Sequence, residues 1–436
     1  MNQILESAQT IIKKTASSLA LDAKTVARLL TPEKIHQFTL AVTMDDGKIR
    51  QFQAFRVQHN SILGPYKGGI RFHPKVNLDE IWALAILMTV KCSAAGLDFG
   101  GAKGGVTVDP KTLSETELER LSRAYARAIF PFIGTDVDIP APDLSTNSKI
   151  IGWMVDEYVG LKVKNKKLKV EEIDSKTLSY WRATFTGKPL EMGGSLGRED
   201  ATGKGGVTIL KSLISKLNSK QEPSNKQFSS IAVQGFGNVG YSFAKLASEQ
   251  GFNIVAVSDS KGAITGKKMR SLDIPLVLQC KKEKGYIAGC YCIGGVCDLR
   301  EGRPIANEEL LELPVDILVP AALENVINGQ NMSQIKAKII VEMANGPVTE
   351  EAYEYLTKKG VVIIPDVLAN SGGVIVSYLE WLQNKENSQW SKEKVDTKFT
   401  ELISAAFEAV WKKAKTNNLK EAAFELALSR IIKKFI

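Results

Sequence analysis

A chain of 436 residues exceeds one ordinary hydrophobic core, so two domains of roughly 200 residues each are expected. Its composition, 44% hydrophobic and 24% charged, is that of a globular protein, and the longest apolar run, residues 81–90, is half what a membrane-spanning helix needs. The formal net charge of +9 comes largely from lysines scattered in polar stretches, with no recognisable nucleic-acid module, which argues against nucleic-acid and membrane partners.

Residues 1–20 read as an amphipathic helix carrying Glu6, Lys13 and Lys14. They show no signal-peptide pattern, so a cytoplasmic location is expected. Residues 38–43 and 49–57 alternate around Asp45-Asp46-Gly47, a hairpin signal, and a glycine-rich loop is expected at 64–69. Helices are expected over 79–95, with Asn77 as cap, and over 114–130, followed by a short strand within 134–143. The lysine- and glutamate-rich stretch 162–177 reads as an exposed insertion, 203–217 as a helix, and 218–227 as a break.

From residue 231 the pattern changes. Short β-branched runs at 231–235, 254–258, 316–319, 338–342 and 361–365 alternate with helix-sized segments, as in a parallel sheet buried on both faces. This is an α/β pattern with a doubly wound, Rossmann-type dinucleotide domain. Residues 374–436 return to long helices.

Two stretches carry chemistry. In Leu97-Asp98-Phe99-Gly100-Gly101-Ala102-Lys103-Gly104-Gly105 a single lysine stands among glycines, in what reads as a loop. A lysine kept from water and near other cations loses basicity and can act as a base near neutral pH. Gly235-Phe236-Gly237-Asn238-Val239-Gly240 fits G-x-G-x-x-G directly after a strand and at the start of a helix, the context that lets glycine backbone approach a pyrophosphate. Asp259, 19 residues past Gly240, stands where a carboxylate holds the ribose 2′-hydroxyl of NAD, while Ser258, Ser260 and Lys261 would accommodate the 2′-phosphate of NADP. NAD is favoured.

Five cysteines suit a reducing compartment. Cys92 reads as packing. Cys280, Cys290, Cys292 and Cys297 are spaced C-x9-C-x-C-x4-C, which matches no standard zinc pattern; ordinary thiols in a surface loop are expected, with a redox pair or a metal site as alternatives.

Pro65-Tyr66-Lys67-Gly68-Gly69-Ile70-Arg71-Phe72-His73-Pro74, the Lys103 stretch and Asp138-Ile139-Pro140-Ala141-Pro142-Asp143 together resemble the glutamate dehydrogenases, within the wider family acting on glutamate, leucine, phenylalanine and valine. So do Thr186-Gly187-Lys188-Pro189, Gly193 to Arg198 running into Ala201-Thr202-Gly203, Glu342-Met343-Ala344-Asn345-Gly346-Pro347, and Pro365-Asp366 through Asn370 to Val374. The resemblance covers nearly the whole chain in order.

It implies oxidative deamination of L-glutamate to 2-oxoglutarate and ammonia with NAD or NADP. Lys103 matches the catalytic lysine that activates water, and Asp143 the carboxylate that shuttles a proton to the amine. Lys91 matches the partner of the α-carboxylate, Lys67 and Ser377 hold the side-chain carboxylate, and Pro142 lies at the substrate. Mutual repulsion of Lys67, Lys91 and Lys103 would help lower the pKa of Lys103. Thr202, Gly235, Gly237, Asn238, Gly240, Asp259 and Asn345 are implied to bind the dinucleotide, with Asn370 near the cleft. No metal is expected.

The resemblance further implies a hexamer and a cleft that closes during turnover. The expected domains are 1–190 for substrate binding and oligomerisation, 191–370 for the dinucleotide, and 371–436 as helices returning to the first domain. Alternatives are a dehydrogenase of branched-chain or aromatic amino acids, which would place apolar residues at Lys67 and Ser377, and a non-catalytic homologue with a structural or binding role. Nucleic-acid binding through the basic surface is a further rival, and predicts a steep salt dependence.

Overall fold

A computed structural model describes residues 3–167, 169, 172–219, 228–414 and 417–435. The chain divides into two compact units, one of Met1–Arg198, Val374–Phe399 and Phe424–Ile436, the other of Glu199–Gly373 and Thr400–Ala423. The carboxy-terminal helices, expected to return as a block to the first domain, are therefore shared between the units.

The first unit is built on a five-stranded sheet in the order β1-β2-β4-β3-β5, with β1 Lys34–Thr43, β2 Ile49–Asn60, β3 Tyr66–His73, β4 Gly101–Thr107 and β5 Asp138–Pro142. The expected hairpin forms β1 and β2, with Thr43 opposite Ile49. Strands β4, β3 and β5 run parallel, and β2 and β4 antiparallel.

The sheet's two faces differ in kind. Even-numbered β3 and β4 residues such as Ile70, Phe72 and Val106 join a large core with Leu121, Tyr125, Ile151 and Met154 of the helices Glu115–Ile129 and Ser148–Lys166. Odd-numbered residues, including Lys67, Arg71 and Lys103, face the helix Leu78–Ala94, whose Ile81 and Ala85 pack on Phe55 and Val57. The expected Asn77 cap is present, accepting from the Glu80 amide, and Ser114, expected inside the second helix, instead caps it in a reciprocal capping box with Glu117.

Two expected loops are strands. Residues 64–69 run into β3, and Lys103 lies in β4. The glycines there serve close packing rather than looping. A Cβ on Gly101 would lie 2.3 Å from the Thr89 backbone nitrogen of the covering helix. The stretch 162–177 is mostly exposed where it is described, as expected, but the helix Ser148–Lys166 runs through its first part and the helix Ser175–Arg182 through its last, and Lys162 and Lys166 lie over Phe130, Tyr158 and Trp181. The break expected at 218–227 lies mostly outside the described residues, since the helix Ala201–Ser219 passes through Asn218.

The second unit holds a seven-stranded sheet, built from β6 Ser230–Gln234, β7 Asn253–Asp259, β8 Gly262–Gly266, β11 Gly302–Ile305, β12 Ile317–Pro320, β13 Ile339–Val341 and β14 Val362–Ile364; a separate hairpin pairs β9 Cys292–Ile293 with β10 Val296–Cys297. The order is β11-β8-β7-β6-β12-β13-β14. The five expected strands, β7-β6-β12-β13-β14, are parallel and β8 and β11 add an antiparallel edge. Ile231, Val233, Ile254, Leu318, Ile340 and Ile363 are fully buried, which explains the continuous β-branched runs. Sequence order reverses between β6 and β12, the switch point at which such sheets bind ligands.

The cysteine expectation is overturned. Cys280 bonds Cys290 and Cys292 bonds Cys297, while Cys92 stays free and buried. Gly294 and Gly295, both at positive φ, close the two-residue hairpin that sets Cys292 opposite Cys297. Gly285, at φ 80°, ends the helix Ile274–Lys284 and turns the chain so that Cys290 returns to Cys280. Among the described residues, no helix is long and apolar enough to cross a membrane.

Candidate active site

Alternation along two adjacent parallel strands builds the first cluster. Lys67, Gly69 and Arg71 on β3 share a face with Gly101, Lys103 and Gly105 on β4. Asp143 follows β5 and meets this face over Gly69, where a Cβ would sit 2.7 Å from the Asp143 Cβ. Only glycine admits the approach.

Lys103 Nζ lies 2.8 Å from Asp143 Oδ2, and Arg71 Nε donates to the same oxygen at 2.8 Å. The lysine is therefore paired, contrary to the isolation its glycine neighbours suggested. Burial pushes the Lys103 ammonium down to about 8; Asp143 opposes this, and Arg71 and then Lys91 add to the fall. Burial works against the Asp143 charge, but the Lys103 and Arg71 cations outweigh it and hold its carboxyl below the usual range. The expected contribution of Lys67 to the lowered basicity of Lys103 is replaced by that of Arg71, which points from the same face two pairs along β3.

Lys67 is 1% exposed, and its ammonium donates to the Ile139 carbonyl at 3.2 Å. Burial, then the Arg198 guanidinium, pushes it down to about 7. Arg198 Nη1 donates to the buried Ser377 hydroxyl at 2.6 Å, so Lys67, Arg198 and Ser377 belong to one cationic cluster. Beside it Glu380, one turn past Ser377, is fully buried, pairs with Lys188 at 2.7 Å and accepts from the Gly187 amide at 2.8 Å. Lys91, in the last turn of the covering helix, is close enough to act on both Lys103 and Cys92. Pro142 ends β5, half-buried, directly before Asp143.

Sequence reasoning quoted Arg71 and Arg198 inside their motifs without assigning either a role. For Arg71 the signal was available, since i and i+4 on a strand share a face with Lys67. For Arg198 none was, because its partner lies 179 positions away.

The second cluster is the fingerprint turn after β6. Gly235 takes φ 95°, and its amide donates to the Ser258 hydroxyl at 3.0 Å. Gly240 packs so tightly that a Cβ would fall 1.9 Å from the Gly235 carbonyl oxygen, whereas space around Gly237 is open. Gly237 and Asn238 are exposed at the start of the helix Asn238–Glu249, with no side chain capping its first amides. A pyrophosphate fits such an end.

Asp259 ends β7. It accepts from the Lys261 amide at 2.9 Å and the Ile287 amide at 3.0 Å, and Lys281 Nζ lies 3.5 Å away. Asn345 is exposed after β13 and accepts from Asn370 at 3.0 Å. Thr202 is half-buried in the first turn of the helix Ala201–Ser219.

Residues 193–435 match the glutamate/leucine/phenylalanine/valine dehydrogenase family, and residues 32–159 match its dimerisation domain. The chain is 42% identical to an NADP-specific glutamate dehydrogenase of Synechocystis, across 96% of this chain and 94% of that one. It is 41% identical to a catabolic NAD-specific glutamate dehydrogenase of Bacillus subtilis, across 95% and 90%. Among solved structures, the hetero-hexameric glutamate dehydrogenase of Thermus thermophilus superposes with a TM-score of 0.86 at 33% identity, covering 99% of this chain and 96% of that one. The match runs through both sheets and both clusters, and the chain belongs to the Glu/Leu/Phe/Val dehydrogenase family.

Proposed function

We infer that this protein catalyses the reversible oxidative deamination of L-glutamate to 2-oxoglutarate and ammonia with NAD or NADP. The observation that carries the site reading is the buried Lys103–Asp143 pair, 2.8 Å apart, on the strand face that also bears Lys67. The relatives named NAD- or NADP-specific glutamate dehydrogenases support the reaction.

Glutamate is a dianion with one ammonium, and Lys67, Arg71, Lys91, Lys103 and Arg198 make the site strongly cationic. Lys67 and the Ser377 hydroxyl hold the side-chain carboxylate, with Arg198 orienting that hydroxyl by occupying its oxygen as acceptor. Lys91 binds the α-carboxylate, and Pro142 shapes the wall beside Asp143. Gly235, Gly237, Asn238, Gly240, Asp259, Thr202 and Asn345 would hold the dinucleotide, which would supply the hydride acceptor for the oxidation. Asp143 takes the proton lost by the substrate amine. Neutral Lys103 then deprotonates the water that adds to the imine and hydrogen-bonds the oxygen as it becomes a carbonyl. Asp143 returns its proton to the carbinolamine nitrogen, and ammonia leaves, taking up the hydroxyl proton as the carbonyl forms.

The substrate domain is the unit of residues 1–198, 374–399 and 424–436, and the dinucleotide domain is the unit of 199–373 and 400–423. Asp259 favours NAD. The active particle is a homohexamer; the hetero-hexameric Thermus thermophilus relative supports the number of subunits, and light scattering of this chain alone should give six times its 47.7 kDa mass. Its location is the cytoplasm, which cell fractionation followed by the activity assay checks.

The assay follows NAD(P)H oxidation with 2-oxoglutarate plus ammonia, with the keto acids of leucine and phenylalanine as controls. Turnover is expected with 2-oxoglutarate, and Lys103→Ala should lose at least about 10³-fold of kcat. No turnover by the wild type, or undiminished turnover by the variant, overturns the reading.

A further inference from the structure

The four clustered cysteines have no part in the chemistry above, yet their bonding reaches the dinucleotide cluster. The end of the helix Ile274–Lys284 from Cys280 onward, and the turn after it, are closed into a ring by the Cys280–Cys290 bond, across a sequence separation of 10. Two donors inside that ring converge on Oδ2 of Asp259: the Ile287 amide at 3.0 Å and Lys281 Nζ at 3.5 Å. Lys281 also donates to the Phe236 carbonyl at 3.0 Å, inside the fingerprint turn. One lysine thus joins the two places where the sequence sets the pyrophosphate and the ribose.

The ring contains Gly285 and Gly289, at φ 80° and 79°. Such a segment has many conformations once its ends are released, and a covalent closure removes them. Cys280 and Cys290 are buried, at 9% and 0% exposure, whereas Cys297 of the neighbouring bond is exposed.

We propose that the Cys280–Cys290 disulfide is a positioning element of the cofactor site, holding Lys281 and Ile287 on Asp259, so that opening it weakens dinucleotide binding. The inference rests on the reading of Asp259 as the ribose ligand. Opening is a two-electron reduction: a dithiol reductant breaks the sulfur–sulfur bond, supplies two electrons and two protons to give two thiols, and becomes a disulfide itself. With the bond broken, the Ile287 amide and the Lys281 ammonium no longer fix the carboxylate, and a ribose diol meets a mobile acceptor.

The test uses the full-length enzyme in two states, oxidised with oxidised glutathione and reduced with a water-soluble phosphine. Thiols titrated after denaturation define the states, one (Cys92) against all five cysteines. Reduction should raise KM for the preferred dinucleotide about five-fold, the loss of one charge-assisted contact, while kcat and KM for glutamate stay within about two-fold. Cys280→Ala with Cys290→Ala should show the raised KM in both states, and Asp259→Asn should lose the response. A dinucleotide KM that ignores both reduction and the double substitution overturns the proposal, as does a glutamate KM that moves equally, or five thiols after oxidation. If instead Asp259→Asn leaves the dinucleotide KM unchanged, the ribose assignment fails first and takes this proposal with it.

Discussion

Asp143 Oδ2 receives both the Lys103 ammonium and the Arg71 guanidinium, each at 2.8 Å, so the candidate proton shuttle is shared between a titratable and a permanent cation. Arg71 keeps its charge across the working pH range, whereas Lys103 loses its proton near 8. The carboxylate therefore stays ionised and held when the lysine becomes neutral.

A pH profile follows from that pair. With neutral Lys103 as base, kcat/KM for glutamate should rise with pH and level off above about 8. Asp143→Asn removes the group that raises the Lys103 pKa and leaves Arg71 and Lys91, which lower it, so the acid limb should move below 8 while kcat falls by roughly 10²–10⁴. Folding gives the converse signature. A lysine whose folded pKa lies below its unfolded 10.5 costs stability at low pH, and that cost is relieved as pH rises from about 8 towards 10.5. Lys103→Met should flatten this part of the urea-unfolding curve, and an unaltered curve would remove Lys103 as its source.

Substrate choice should depend on Lys67. Buried at 1% exposure, its ammonium would be left without a partner carboxylate opposite an aliphatic side chain. Lys67→Leu should cut kcat/KM for glutamate by about 10³-fold or more and narrow the gap to leucine and norvaline. A variant that still prefers glutamate by the wild-type margin would place the side-chain carboxylate elsewhere.

Gly69→Ala puts a Cβ 2.7 Å from the Asp143 Cβ and displaces the carboxylate from Lys103. The expected outcome is a loss of about 10²-fold in kcat with a smaller change in the dinucleotide KM, since a displacement near 1 Å is enough to spoil proton transfer. Equal changes in both would indicate general unfolding, which circular dichroism checks.

Arg56 sits on the opposite sheet face, fully buried, and donates through Nε to Asp138 at 2.9 Å and through Nη1 to the Gly68 carbonyl at 3.1 Å. Its side chain crosses from β2 towards β5 over Gly104, where a Cβ would lie 3.3 Å from the Arg56 Cδ. Asp138→Ala strands the guanidinium in the core and should cost about 3–5 kcal/mol in urea unfolding. Gly104→Ala, whose Cβ would meet the Tyr125 hydroxyl at 2.2 Å, should cost about 1–3 kcal/mol. Values near zero for both would show that the crossing contributes nothing.

The parallel strands of the dinucleotide unit, the hairpin of β1 and β2, the Asn77 cap and the fingerprint turn were legible in the chain alone. Each is a local property: a run of β-branched residues, a turn dipeptide, a capping side chain or a glycine spacing speaks for its own segment, whatever packs on it. Residues 64–69 and the Lys103 stretch misled, because glycine crowding looks the same whether the backbone turns freely or admits a helix against a strand. The cysteines misled for a related reason, since spacing cannot tell which sulfurs a glycine turn will bring together.

Sequence by itself determined the α/β class, the family and the residue types able to move a proton and hold a dianion. Tertiary structure decided that Lys103 is paired, that Arg71 shares its carboxylate, that Arg198 serves Ser377, and that Asp259 is bound from within a disulfide ring. Those facts join positions such as 71 with 143 and 198 with 377. They depend on strand register and on which helix covers which face, and no periodicity along the chain encodes either.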